Sequence, residues 1–460
     1  MALPDNSVTS GADGRFRITG LGAERTAMIQ FSSPSVSAER IRVVTRQMKP
    51  VNRRIGLRDT FIVYGADFEI TAGPARSVRG TIRDAKTHQP LAGVAVRTWG
   101  NSSMQTVTDS WGSFRFDGLP KKDGVTIETL PYDRAPYFTG EVQVPNSPGA
   151  QPVDVNIDLQ PGLWVTGKIT DQETGQPVPA QVEYIPFLSN RNGSRVFPSN
   201  MGLSQSPGNC YTKVDGTYRV AALPGVGVIG VLSHDPRYRK GAGEDRITER
   251  NPQGRIKAYS PGNMPGLFNA VKEVIIAEGA AGATADVQLD PGGAILLTFT
   301  DPTGKPIGNL DVCDKTGNNA YSTHIDQPTL LITGISPSEK RVIVATDRQQ
   351  KFGKVVVVSL KDIPDRKLKV QLEPMAVVTG RLVNPDGEPV NTGLLRPTTR
   401  FVELRNNNKF LWGTRSGPNG RFTLPLAAGC HYFLEASYNT FGGRFAEIKD
   451  DLTVRPGETK

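Results

Sequence analysis

Histidine and cysteine are scarce in this chain. It has four histidines and three cysteines in 460 residues. His88, His234, His324 and His431 stand far apart, and Cys210, Cys313 and Cys430 show no CxxC spacing. That excludes the common zinc and dithiol motifs, and an odd count spread one per repeat argues against a disulfide framework. HExxH, GxSxG, Walker and dinucleotide-loop patterns are missing too. So is a D-x-D-x-D-G calcium loop, which leaves calcium open only between loops of neighbouring units. No cofactor is expected. No apolar run approaches the ~18 residues that span a bilayer, so no membrane span is expected. Heptads and long 3.6-residue periods are absent. Net charge is a modest +9. The densest basic run holds Arg40, Arg42, Arg46, Lys49, Arg53, Arg54 and Arg58, with no acid inside it. No aromatic platform or recognition helix accompanies it, so it reads as a solvated face and not as a nucleic-acid surface.

Glycine and proline are abundant instead, at 49 and 35 residues. In a chain with clear strand alternation that excess marks many turns. One pattern recurs four times: VRGTIRDAKTHQPLAGVAVR (78–97), VTGKITDQETGQPVPAQVEY (165–184), ILLTFTDPTGKPIGNLDVCD (295–314) and VTGRLVNPDGEPVNTGLLRP (378–397). A second signature follows most copies: TDSWGSFRFDGLP (108–120), TKVDGTYRVAALPG (212–225) and SGPNGRFTLPLAAG (416–429). It also opens the chain as TSGADGRFRITGL (9–21), with no first half before it. Repeats at this spacing mean an array of like units. The chain enters the array partway through a unit, so a signal or anchor is expected upstream.

Each copy has plain mechanics. Val165, Gly167 and Ile169 share one face of a period-two strand, and Thr166, Lys168 and Thr170 share the other. Gly80, Gly167 and Gly380 fall on the apolar side, where a facing strand or side chain can approach closely. Asp84, Asp171, Asp301 and Asn384 should bond backbone amides two residues on. Pro90, Pro177, Pro306 and Pro389 should mark the start of the next strand or an edge position. Gly14, Gly112, Gly216 and Gly420 should close tight turns at positive φ. Two residues later Phe16, Phe114, Tyr218 and Phe422 should point inward as core plugs. The copy at 295 departs, because THIDQPTLLITGI (323–335) lacks both the turn glycine and the aromatic. Units end on VDVNIDLQPG, ADVQLDPGG and LKVQLEPM, so one unit runs through a proline almost directly into the next. Such joints should be stiff.

These motifs resemble the carboxypeptidase regulatory-like family. The resemblance implies prealbumin-like β-sandwiches and a non-catalytic module. The expected fold is all-β, a tandem array of prealbumin-like or Ig-like β-sandwich domains. The expected division is 1–74 as a partial or atypical unit, then 75–161, 162–291 with two long insertions, a degenerate unit at 292–374, and 375–460. In the leading unit either an open edge remains or segment 60–73 fills the gap. A Lys–Asn crosslink of the kind used by related surface-adhesin sandwiches needs an inward first-strand lysine, and Lys168 has the outward parity.

The unit at 162–291 carries insertions at roughly 185–211 and 232–272. The second is rich in Arg237, Tyr238, Arg239, Lys240, Arg246, Arg250, Arg255 and Tyr259. Arg237, Tyr238, Arg239 and Tyr259 are the candidate binding residues, because planar rings and forked donors suit carbohydrate or carboxylate groups. The competing reading has this loop pack across its own sandwich or seal a joint between units. The expected function is a non-catalytic structural or binding array, extracellular or at the cell surface, acting as a semi-rigid spacer or a region that holds a carbohydrate or protein ligand. The alternative is an accessory array attached to an enzyme or sensor domain upstream. A monomer is expected.

Overall fold

The computed structural model describes residues 7–460 apart from 32, 35, 38, 56–58, 100–103, 122–124, 131–134, 146–150, 197–208, 253, 255, 260–266, 317–318, 385, 392, 401–412 and 438–445. Arg58, Arg255 and parts of both insertions lie outside the described residues. The rest is all-β: strands joined by turns, with three single-turn 3-10 helices among the described residues. The chain forms two compact bodies, 1–162 and 163–460.

In the first body, Thr26–Phe31, Glu39–Val44, Asp59–Tyr64 and Val51–Ile55 make one sheet in that order. Phe16 lies edge-on to Phe31 and Phe68, with ring centroids 5.7 and 5.8 Å away. The next residues form a sandwich. Strand Ala75–Asp84 pairs antiparallel with Ser113–Pro120 and parallel with the short strands Val153–Asp154 and Ile157–Leu159. The facing sheet contains Glu141–Gln143, Thr126–Leu130, Ala95–Trp99 and Gln105–Val107. Alternation along the first strand sends Val78 and Ile82 inward, onto Phe114, Phe116, Val96 and Ile127.

The second body repeats this plan. Leu163–Asp171 lies between antiparallel Thr217–Ala222 and parallel Gly282–Thr284 with Val287–Leu289. Gly293–Thr300 lies between Thr329–Ile335 and Lys367–Gln371. Ala376–Arg381 pairs with Arg421–Leu426, and Thr459 bridges Val377 in parallel on the other side. The strand Thr329–Ile335 takes its place although its turn glycine and aromatic are missing. Pairing with the first strand holds it without them.

Gly80 and Gly167 shape the last strand. A Cβ on Gly80 would lie 1.7 Å from the Val155 carbonyl oxygen, and one on Gly167 would lie 2.2 Å from that of Ala285. The bare backbone lets the last strand press in and break its ladder there. The lost acceptor is replaced by a side chain. Asn156 Oδ1 accepts the Thr81 amide at 2.9 Å, and Asp286 Oδ1 accepts the Lys168 amide at 2.8 Å. Leu297 occupies the corresponding position of the next copy, and there Lys367–Gln371 pairs without a break.

The turn residues behave as their chemistry predicts. Asp84 Oδ1 accepts the amides of Lys86 and Thr87 at 2.8 and 2.7 Å, and Asp171 Oδ1 accepts those of Glu173 and Thr174 at 2.9 Å each. Phe114 and Tyr218 are buried, and the Tyr218 hydroxyl donates to Ala285 O at 2.6 Å. The prolines differ from expectation. Pro90, Pro177, Pro306 and Pro389 each bridge back to the first strand, at Arg83, Thr170, Thr300 and Val383. The next strands begin later, at Ala95, Gln181, Leu310 and Leu394. The neighbouring residue, such as Leu91 or Val178, donates the bond that proline cannot.

Candidate functional site

The candidate residues follow strand Gly225–Leu232. Three anchors tie their segment down. Asn269, only 2% exposed, accepts the Ser233 amide at 2.8 Å and donates to Tyr238 O at 2.8 Å. Tyr238, 4% exposed, donates its hydroxyl to Asp171 Oδ2 at 2.9 Å. Burial, then this bond, push its phenol up to about 12. Arg239 Nε donates to Asp290 Oδ2 at 2.5 Å, and its amide donates to Asp290 O at 3.0 Å. Arg237 is exposed. Its Nε and Nη2 donate to Asp235 Oδ2 at 2.9 and 2.8 Å, and its guanidinium carbon stands 5.6 Å from the Tyr238 ring centre.

Tyr259 is placed elsewhere. Its amide donates to Pro186 O at 3.0 Å, and its ring lies against Gly193. Pro186 pairs with Gly227 while Gln181 pairs with Leu232, so Tyr259 neighbours the opposite end of this ladder. The structure brings Arg237, Tyr238 and Arg239 onto one segment and leaves Tyr259 apart from them.

The same segment packs the joint to the following sandwich. Thr333 Oγ1 donates to Pro236 O at 3.0 Å. A Cβ on Gly334, which has φ +66, would lie 2.6 Å from Pro236 O. Between this sandwich and the following one opens a cleft of about 690 Å³. Leu232, Leu267, Leu330 and Leu331 give it apolar wall, and Lys240 and Arg341 bring cations to it. The Arg341 guanidinium is buried and saturated by Asp314, Glu339 and the carbonyls of Thr333 and Gly334. Lys240 Nζ donates to Asn269 Oδ1 and Leu267 O at 3.2 and 3.3 Å. Burial pulls its amine down to about 8. Sequence reasoning named Lys240 only as one of the insertion's basic residues and passed over Asn269, because their partners lie about thirty residues off.

Among the described residues no cluster of three His, Cys, Asp or Glu side chains is placed to hold a metal ion. None of the described helices is long and apolar enough to cross a membrane, which says nothing of strand-built membrane proteins.

No family model matches the chain, and no curated protein matches it in sequence. Solved structures do align. The TIE protein of Bacillus anthracis shares 12% identity over 96% of this chain and 74% of its own, with a TM-score of 0.17. The shaft pilin SpaA of Lactobacillus rhamnosus GG shares 10% over 48% of this chain and 98% of its own, with a TM-score of 0.18. A streptococcal ancillary pilin shares 10% over 65% and 98%, with a TM-score of 0.15.

Proposed function

We propose that this chain is a non-catalytic array of carboxypeptidase regulatory-like sandwiches, displayed outside the cell as a semi-rigid spacer that also holds a ligand. The units divide at 1–74, 75–161, 162–291, 292–374 and 375–460. The observation that carries the reading is the packed joint. Leu289 ends one last strand and Gly293 starts the next first strand, leaving three residues between them. At the following joint Met375 packs with Val342, Val344, Val355 and Ala427, which come from both neighbouring sandwiches. Pro291 and Pro374 at these two joints add stiffness. Short packed joints suit a spacer, which has to transmit position.

Protease shaving of intact cells that express the natural gene tests the display. Release of peptides from this region before lysis is expected. Protection until lysis would overturn the extracellular assignment. A glycan and protein-ligand screen of the purified chain tests the binding half separately.

A further inference from the structure

We propose that the cleft between the sandwiches 162–291 and 292–374 binds a small carboxylate with an apolar body, its carboxylate meeting the Lys240 ammonium. The proposal extends the binding half of the reading above and stands whether or not the protein is displayed.

Size and lining come first. About 690 Å³ lies within the range of roughly 300–1,000 Å³ typical of small-molecule sites. Leu331 is 57% exposed and Leu267 is exposed beside it, so apolar surface stands uncovered in a concave place.

Charge comes next. Besides Tyr238, the other ionisable side chains lining the cleft are His234, Asp235, Asp314 and Arg341; Asp235 is matched by Arg237, and Asp314 is matched by Arg341 at 3.2 Å. Lys240 has two long hydrogen bonds to neutral oxygens and no carboxylate partner among the described residues. An ammonium has three donors, so one is left to point at a ligand. Burial works against its charge, and no counter-ion offsets that. A bound carboxylate supplies the missing anion. A single cation suits a monoanion better than a phosphate, and aliphatic walls suit an alkyl body better than a sugar ring.

Rigidity completes the case. Asn269 orients both the Lys240 amine and the backbone of Tyr238 and Arg239. The site is therefore held before the ligand arrives, which limits the ordering cost of binding.

Octanoate is the probe, measured by titration calorimetry on the full chain, with octanol as its uncharged control. One saturable octanoate site is expected at pH 7, with octanol weaker by roughly ten- to a hundredfold, the worth of a charged hydrogen bond. Lys240→Met should lose octanoate by a similar factor, and Lys240→Arg should keep most of it. Above about pH 8 binding should take up a proton, seen as a dependence of the heat on buffer ionisation, and affinity should fall with further rise in pH. The octanol and proton-uptake readouts use the native chain, so they decide even if Lys240→Met misfolds. Absence of saturable octanoate binding, equal affinity for octanol, or unchanged binding in a folded Lys240→Met overturns the proposal.

Discussion

The hydroxyl of Tyr238 donates to the carboxylate of Asp171 at 2.9 Å, tying an inserted loop to the turn that opens its own sandwich. Tyr137 does the same to Asp84 at 2.7 Å in the first body. The residues after each tyrosine also correspond. The Phe138 amide donates to Gln160 O, and the Arg239 amide donates to Asp290 O, both just past the last strand. An element of the repeat thus lies inside what reads as an insertion. Its tyrosine completes the aspartate turn, whose other oxygen already caps two amides.

Loss of either hydroxyl should therefore cost stability. Tyr238→Phe and Tyr137→Phe each leave an oxygen of a buried aspartate short of a donor. A loss of about 1–3 kcal/mol per site is expected. Urea melts of the full chain check it, with hydrogen exchange assigning the loss to 162–291 for one variant and to 75–161 for the other. An unchanged midpoint in both would remove the tyrosine from the turn's energetics.

The same pairs set two pH limits. Backbone amides, most strongly that of Thr174, and the Tyr238 hydroxyl hold Asp171 below the usual carboxylate range against the effect of burial. Burial pushes Asp84 up, but the amides of Thr87 and Lys86 and the Tyr137 hydroxyl outweigh it, and its pKa is lowered too. A lowered folded-state pKa means stability present above the unfolded value and lost as pH falls through the folded one. The phenols work at the other end. Burial first, then the carboxylates, raise Tyr137 and Tyr238 to about 12. Their contribution is full below the ordinary phenol value near 10 and is lost as pH rises through about 12. Urea midpoints across pH should decline at both ends, and Tyr238→Phe should flatten the alkaline decline of its own sandwich.

Gly167→Ala should damage its unit more than a methyl group normally would. The new Cβ meets Ala285 O and also the Tyr218 ring, so either the last strand or the core plug must move. Overpacking of this kind costs about 1–3 kcal/mol. Gly80→Ala faces a closer carbonyl and should cost at least as much. The Thr81 and Lys168 amides, held by Asn156 and Asp286 at the breaks, should exchange faster in these variants. Unchanged protection there would mean that the strand break tolerates a side chain.

Much of this was legible because it is local. Asp84, Asp171, Asp301 and Asn384 cap amides within a few residues, and period two alone gives the inward parity of Phe114 and Tyr218. The outward parity of Lys168 also holds, for its side chain is exposed. The role of Tyr238 was not legible. Arg-Tyr-Arg on a long loop has the composition of a recognition surface, and its partner Asp171 stands 67 residues earlier. APYF (135–138) and PRYR (236–239) share only the tyrosine in register, too little to show the correspondence. The proline positions misled because a bridge back to the first strand and the start of a new strand require the same missing donor. The Lys240 cleft left no signal at all. Its walls come from residues such as Leu232, Lys240 and Asn269 on one side and Val312, Leu331 and Arg341 on the other, and only the packing of two sandwiches brings them together.

The joint itself offers the last test. Gly334 holds φ +66 with its α-carbon facing Pro236 O, and Gly292 holds φ +66 against Ile335 O and the Arg239 Cβ. Each meets both demands that glycine alone satisfies, left-handed backbone and close approach. Gly334→Ala adds strain in the strand Thr329–Ile335 and drives the Pro236 carbonyl away. The hydrogen bond from Thr333 to Pro236 should then break. The sandwich cores at Ile295 and Val228 are not touched by the change, so the global melt should shift little compared with the joint. Amide exchange at 237–241 and at 290, 292 and 293 should rise severalfold, and limited proteolysis should begin to cut near Pro291–Gly292. Resistance to cleavage together with native exchange at these amides would show that the joint does not depend on this contact.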